Sequence, residues 1–180
     1  GHSLNALAGY SWNKNNNQEA FMDNYNFPTD DYSYNNMAAG TALKDGKATE
    51  KTYQEEYKLV GYFGRINYNY QGKYYLSASI RHEGSSKFGA DHKWGTFPAV
   101  SIGWNLKEES FLKNVNFLSF LKLRAGYGIT GTIPGNPYLS LNTLDLGGYG
   151  YYGGQWTTLL RASSNPNPDL RWEKKKETNI

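Results

Sequence analysis

The chain has 180 residues, of which 20 are Gly and 16% are aromatic, and its 19 basic against 16 acidic side chains leave a net charge of only +3. That balance supplies no basic surface for nucleic acid, no run of eighteen apolar residues offers a transmembrane helix, and the absence of Cys removes disulfides and thiolate metal sites. The length permits a sizeable core, yet a mean hydropathy of −0.73 with so many aromatics is unusual for a water-soluble domain.

The dominant period along the chain is two, which predicts strands with unlike faces. The first run, His2 to Trp12, sets Leu4, Ala6, Ala8, Tyr10 and Trp12 against Ser3, Asn5, Leu7, Gly9 and Ser11. Residues 13–56, rich in Asn, Asp and Tyr, read as a long polar loop. From Tyr57 to Tyr70, Val60, Tyr62, Ile66, Tyr68 and Tyr70 alternate with Gly61, Phe63, Arg65, Asn67 and Asn69. Gln71-Gly72 predicts a tight hairpin turn. The next run carries Tyr74, Leu76, Ala78 and Ile80 on one face and Ser77, Ser79, Arg81 and Glu83 on the other.

After an intermediate loop at 84–93, Trp94, Val100, Ile102, Trp104 and Leu106 alternate with Gly95, Ala99, Ser101, Gly103 and Asn105. The connector 107–120 has room for a short helical turn. Leu121, Leu123, Ala125, Tyr127 and Ile129 then oppose Lys122, Arg124, Gly126 and Gly128, a second long loop covers 131–169, and a sixth run starts near Leu170. The chain opens inside one strand-like run and stops inside another, so it is expected to be a piece of a longer protein.

Long connections alternating with short ones suit a membrane β-barrel with long outer loops and short periplasmic turns; the connector 107–120 is longer than that rule prefers. The aromatics point the same way. Trp94 and Trp104 share a face ten residues apart, which at about 3.3 Å per residue and a tilt of about 45° spans roughly 23 Å of membrane normal. An apolar band of about 25 Å flanked by aromatic girdles has that height. Trp12, Tyr68, Tyr70 and Tyr74 fall at run ends on the same face and join Trp94 and Trp104 as expected girdle residues. The fold class expected is all-β, an antiparallel transmembrane barrel segment of about six strands; closure needs at least eight, so further strands are required. The rival reading is a secreted or surface β-sandwich that binds polysaccharide without transporting it.

The stretch YFGRINYNYQGKYYLSASIRHEGSSKFGADHKWGTFPAVSIGWNL from Tyr62 closely resembles the SusC/RagA family of TonB-dependent outer-membrane transporters, in which FGRxNYxYxxKYL leads into RxDGSSxFGxxxxxGxFPxxSxGW. LKLRAGYGITG at Leu121–Gly131 and NPDLRWEKKKETNI at Asn167–Ile180 are similar to later motifs of that family, LKLRxSYGxTGN and NPxLxWExxxxxNxG. Glu83 and Thr132 depart from the family pattern, both on or near outer loops. The resemblance implies a plugged barrel of about 22 strands in the outer membrane of a Gram-negative bacterium. It implies import of glycan or peptide fragments driven by the TonB complex, with a SusD-like surface lipoprotein as lid. Residues 1–180 would be part of the barrel domain, with the plug and the TonB box elsewhere.

Catalytic chemistry finds little support. Gly126-Tyr127-Gly128-Ile129-Thr130-Gly131 is a literal GxGxxG, but Ile133-Pro134-Gly135-Asn136-Pro137 follows it and cannot open the helix a dinucleotide site needs. Ser101 lacks the first Gly of a nucleophile elbow. Asp30-Asp31, Glu55-Glu56 and Glu108-Glu109 are neighbours pointing oppositely in extended chain and read as solvated loop charge. His2, His82 and His92 have no metal-ligand spacing, and Asp23, Asp30 and Asp31 show no calcium-loop repeat. No cofactor and no metal is expected.

Binding remains. Tyr149, Tyr151, Tyr152 and Trp156, together with Tyr32 and Tyr34, are the expected substrate-binding aromatics of the outer loops, with Phe21, Tyr25 and Phe27 nearby in sequence. Flat rings flanked by Asn and Asp suit oligosaccharide or peptide, and equally a loop packed on itself. Arg65, Asn67, Arg81, Lys122 and Arg124 are expected to face the lumen and the plug.

Overall fold

A computed structural model describes residues 1–33 and 35–180. The strands are β1 (His2–Asp23), β2 (Thr49–Tyr70), β3 (Tyr74–Ser85), β4 (Trp94–Asn105), β5 (Lys122–Thr132), β6 (Leu144–Tyr152), β7 (Gln155–Ala162) and β8 (Glu173–Asn179). Six form one sheet in the order β1-β2-β3-β4-β5-β8, and β6-β7 form a separate two-stranded sheet. Two predicted loops are thus partly strand. The 13–56 segment contributes the far ends of β1 and β2, and 131–169 contains the β6–β7 hairpin. The hydrophobic period is weak in both stretches because both faces meet solvent.

The chain divides into two compact units, Asn15–Glu56 and the remainder. In the smaller unit, Asn24 is the hub. Its Nδ2 donates to the carbonyls of Met37 and Gly40 at 2.7 and 3.0 Å, and its Oδ1 accepts from the Leu43 N–H at 3.0 Å. One amide thereby ties together two single-turn segments, Met37–Ala39 and Thr41–Leu43, the second of which holds the buried Ala42.

In the larger unit the sheet is antiparallel and its register aligns the two predicted faces across β2, β3, β4 and the inner part of β5. Ile66, Ala78, Val100 and Tyr127 make one cross-strand rung; Tyr68, Leu76, Ile102 and Ala125 make the next. The β2–β3 turn places both Gln71 and Gly72 at positive φ. Ile129 leaves the row. It is half-buried against Phe88, Phe97 and Trp172, where the outer end of β5 passes their cluster.

Nothing in the described chain covers this apolar face. Ile66, Ile80 and Ile102 are 51%, 52% and 59% exposed, and the buried hydrophobic residues among those described are only Ala42, Phe88, Phe97 and Trp172. A β-sandwich would place a second sheet over these isoleucines; among the described residues there is none, and the sandwich reading falls. Burying one such side chain is worth about 1.5–3 kcal/mol, so a face of this extent requires an apolar partner. Hydrocarbon supplies it, provided every backbone group is paired inside a closed sheet. Six strands are therefore an arc of a larger barrel.

Rings close the face at both ends. At the turn end, His2, Tyr70, Tyr74 and Trp104 form a row of tilted and stacked rings with centroids 4.6, 6.3 and 6.4 Å apart, and Tyr68 donates to or accepts from His2 Nδ1 at 2.7 Å. At the other end Tyr10 meets Tyr62 at 5.3 Å, and Trp94 meets Tyr62 at 6.3 Å and His82 at 4.8 Å. Trp12 lies two positions beyond Tyr10 on the same face of β1. Tyr62, which the alternation puts on this face without counting it among the girdle residues, and His82, which the sequence offers only as a metal ligand, thus belong to the ring row.

One carboxylate fastens the turn-end belt. Glu109, just past the single turn Leu106–Glu108, accepts from Tyr74 Oη at 2.6 Å, Trp104 Nε1 at 3.1 Å and Lys73 Nζ at 3.1 Å. It is therefore not the solvated loop charge its sequence neighbours suggest. The hydrogen bonds from Tyr74, Trp104 and Lys73 hold its carboxyl down to about 2, from an ordinary 4.5.

Two predictions follow from this geometry. Val100→Lys in the full-length barrel is expected to cost about 2–4 kcal/mol of stability, the scale for a lysine at the bilayer midplane, whereas Ser101→Lys on the reverse face should change urea unfolding in lipid vesicles far less. Glu109 is charged when native at any pH above its lowered value, so its contribution is complete above about 4.5 and fades as pH falls toward 2. Unfolding midpoints of the parent should accordingly drop across that window more than those of Glu109→Gln.

Candidate functional site

The reverse face of the sheet is polar and built from the alternate residues of the same strands. Arg65, Ser79, Ala99 and Gly128 form one rung, and Asn67, Ser77, Ser101 and Gly126 the next. Ser77 Oγ donates to Asn67 Oδ1 at 2.7 Å, which fixes the amide. Small residues leave this wall open, with a concavity lined by Asn5, Asn67, Ser77, Ser101, Lys122 and Arg124.

Its cations divide into two kinds. Arg81 is held by Glu83, Nε and Nη2 each donating at 2.8 Å to a different carboxylate oxygen, and its guanidinium lies over the Phe63 ring. Lys122 Nζ sits 3.7 Å from the centroid of Tyr75. Arg65 and Arg124 line concavities of the wall without a carboxylate partner among the described residues. A bidentate carboxylate or a sugar hydroxyl pair fits such a guanidinium. All five residues expected on the polar face thus belong to strands of one wall, with Arg81 and Lys122 already engaged.

The outer aromatics are only partly gathered. In the β6–β7 hairpin Tyr151 pairs with Trp156 and Tyr149 with Thr158, so Tyr149, Tyr151 and Trp156 share a face, and Tyr151 meets Trp156 edge-on at 5.5 Å. Tyr152, opposite Gln155, lies on the other face. Their exposure is high, 75% for Tyr149 and 72% for Trp156. Tyr32 ends a single turn in the smaller unit, where the Thr29 hydroxyl accepts from the Asp31 N–H. Tyr34 lies outside the described residues. Among the described residues no three His, Asp or Glu side chains converge as a metal site.

At the outer end of the wall stands a clasp that the binding argument from sequence passed over. Phe88 from the β3–β4 loop, Phe97 from β4 and Trp172 before β8 form the core of the larger unit, with Trp172 centroids 4.8 and 5.0 Å from the two phenylalanines. Trp172 Nε1 donates to the Lys93 carbonyl at 2.9 Å. Lys87, 4% exposed, donates to the carbonyls of Pro134 and Gly135 at 3.0 and 2.6 Å and lies 4.0 Å over the Tyr57 ring. Gly89 and Gly131 are glycine for close approach: a Cβ on Gly89 would strike the Pro168 carbonyl, and one on Gly131 the rings of Phe97 and Trp172. The motifs GSSKFG and NPDLRW are therefore two halves of one joint, and it ties down both roots of the 133–172 loop that carries the aromatic hairpin.

The family model for TonB dependent receptor-like beta-barrels matches residues 1–180. A TonB-dependent receptor, P3, of Formosa agariphila is 35% identical over 179 residues, which are 99% of this chain and 17% of that protein. TonB-dependent receptor SusC of Bacteroides thetaiotaomicron is 52% identical over 88 residues, 48% of this chain and 9% of SusC. Among solved structures, a chain of the RagAB peptide transporter superposes with a TM-score of 0.84 at 25% identity, covering 97% of this chain and 19% of that one. The chain thus spans less than a fifth of the length of these relatives.

The clasp makes a direct prediction. Lys87→Met removes the ammonium that binds the Pro134 and Gly135 carbonyls, at about 0.5–1.5 kcal/mol per hydrogen bond, and Gly89→Ala forces the loops apart. In the full-length protein both are expected to raise the rate of protease cleavage within 133–168, while Ser101→Ala leaves it unchanged.

Proposed function

Because the chain belongs to the TonB-dependent receptor-like β-barrel family and is a stretch of outer-membrane barrel wall, we propose that its parent protein imports oligosaccharide or peptide fragments across the outer membrane in partnership with a SusD-like surface lipoprotein. The TonB complex supplies the energy, acting through parts of the protein other than these strands. The likeness to SusC over 88 residues supports a glycan, and the likeness to the RagAB peptide transporter supports a peptide and a two-protein assembly.

The observation that carries the reading is the opposition of the two faces. An uncovered apolar face with aromatic belts backs directly onto a polar wall with two uncommitted guanidiniums, Arg65 and Arg124. Such a wall keeps hydrocarbon outside and a hydrated, hydrogen-bonding path inside. Within the path, Arg65 and Arg124 meet carboxylates of the plug, and Asn67 presents hydrogen-bonding groups. Outside it, Tyr149, Tyr151 and Trp156 offer a stacking face to substrate as it enters, with Tyr152 turned to the lid.

The test is genetic. A strain lacking the gene is expected to fail on one glycan or peptide as sole nutrient and to recover with the parent gene. The Trp156→Ala gene should restore growth with a several-fold higher nutrient requirement, since an aromatic contact is worth about 0.5–1.5 kcal/mol. Unimpaired growth of the deletion strain on every candidate nutrient would remove the transport role.

A further inference from the structure

The connector between β4 and β5, residues 106–121, lies at the same end of the sheet as the tight β2–β3 turn, which is the periplasmic end by the rule that barrel turns there are short. It is the exception to that rule, and its side chains are arranged the wrong way round for a segment in water. Leu112, Val115 and Leu118 are half-buried, while Phe111, Phe117 and Phe120 stand out at 66%, 91% and 65% exposure.

This display is held in place. The N–H groups of Leu112 and Lys113 both donate to the Glu109 carbonyl, Val115 N–H to Leu112 and Leu118 N–H to Val115. Lys107 Nζ then caps the carbonyls of Leu112, Lys113 and Val115 at 3.1, 3.3 and 2.8 Å. An ammonium satisfying three carbonyls fixes the loop without spending any of its phenylalanines on a core.

The position of the loop relative to the wall names its occupant. Glu109 is bonded to Tyr74 Oη and Trp104 Nε1, two rings of the lipid-side belt, and Phe120 lines the same concavity as Ile102, Trp104 and Leu123 on that face. The apolar surface of the connector is thus continuous with the face that meets hydrocarbon. We propose that residues 106–121 form an interfacial anchor, with Phe111, Phe117 and Phe120 seated in the headgroup–acyl boundary of the periplasmic phospholipid leaflet. The inference rests on the lipid-facing reading of the sheet. Aromatic side chains at that boundary enter about 5–10 Å, and Lys113, exposed between Phe111 and Phe117, reaches back toward lipid phosphate.

The experiment places single cysteines in the full-length protein, since this segment has none of its own. Phe117→Cys, Ile102→Cys and Ser101→Cys are each labelled with an environment-sensitive fluorophore and reconstituted in phosphatidylethanolamine–phosphatidylglycerol vesicles carrying shallow spin-labelled lipid. The label at Phe117→Cys should lose emission to the shallow lipid quencher, as should that at Ile102→Cys, and the label at Ser101→Cys should not. Quenching at Ile102→Cys without quenching at Phe117→Cys overturns the anchor and leaves the wall standing. If the Phe117→Cys label is also shielded from aqueous iodide, the cover is protein rather than lipid. Loss of quenching at Ile102→Cys overturns the wall reading and the anchor together.

Discussion

One face of a hydrogen-bonded sheet has to be met by something apolar, and none of the described residues meets it. That single deficit organises the rest. The isoleucines of β2, β3 and β4 are half or more exposed, so the interior cannot be where the stabilising burial takes place. It takes place outward, against hydrocarbon, and this in turn forces the backbone to be fully paired, because no water is present at that depth to satisfy an edge. Long strands, tight register and closure with further strands are consequences of the same requirement.

The reverse face follows by subtraction. Once burial is outward, the inner side chains have no core to fill and are chosen for size and polarity. Serines, asparagines and glycines dominate the rungs around Arg65 and Asn67. Among the described residues of the larger unit a conventional core survives at the outer clasp, where Phe88, Phe97 and Trp172 pack together. It lies where the wall ends and loops begin. Strands in a barrel hold one another by their ladders, but a loop of some forty residues has no ladder at its root and needs packing to aim it.

The strands that span were legible because a two-residue period survives wherever the two faces meet different media. Ile66, Ala78 and Val100 fall on one rung as the alternation requires. The period fails where both faces meet the same medium, and so the far ends of β1 and β2 and the whole β6–β7 hairpin read as loop. Glu109 was illegible for another reason. Adjacent acids in a polar connector look like solvated charge, and only the fold brings Tyr74 and Lys73, some thirty-five residues earlier, to the same carboxylate. The clasp was visible as motif but not as mechanism, since nothing in GSSKFG or NPDLRW says that each is the other's partner. Ile129 was misplaced because alternation alone cannot see the cluster at the outer end of β5.

The cations of the polar face are of two kinds, those engaged within the wall and those that are not. A guanidinium or ammonium that faces a confined interior loses part of its hydration, and that cost is met either within the wall or by a visitor. Arg81 is met within the wall, by two bonds from Glu83 and by the face of Phe63. Lys122 is met by Tyr75. Arg65 shares its rung with Ser79, Ala99 and Gly128 and, through them, with Glu177 of β8, and Arg124 stands opposite Gly103 with Lys122 two positions before it. Neither guanidinium has a carboxylate hydrogen-bonded to it among the described residues. The heights at which these two charges stand are therefore set by strand register rather than by loop conformation.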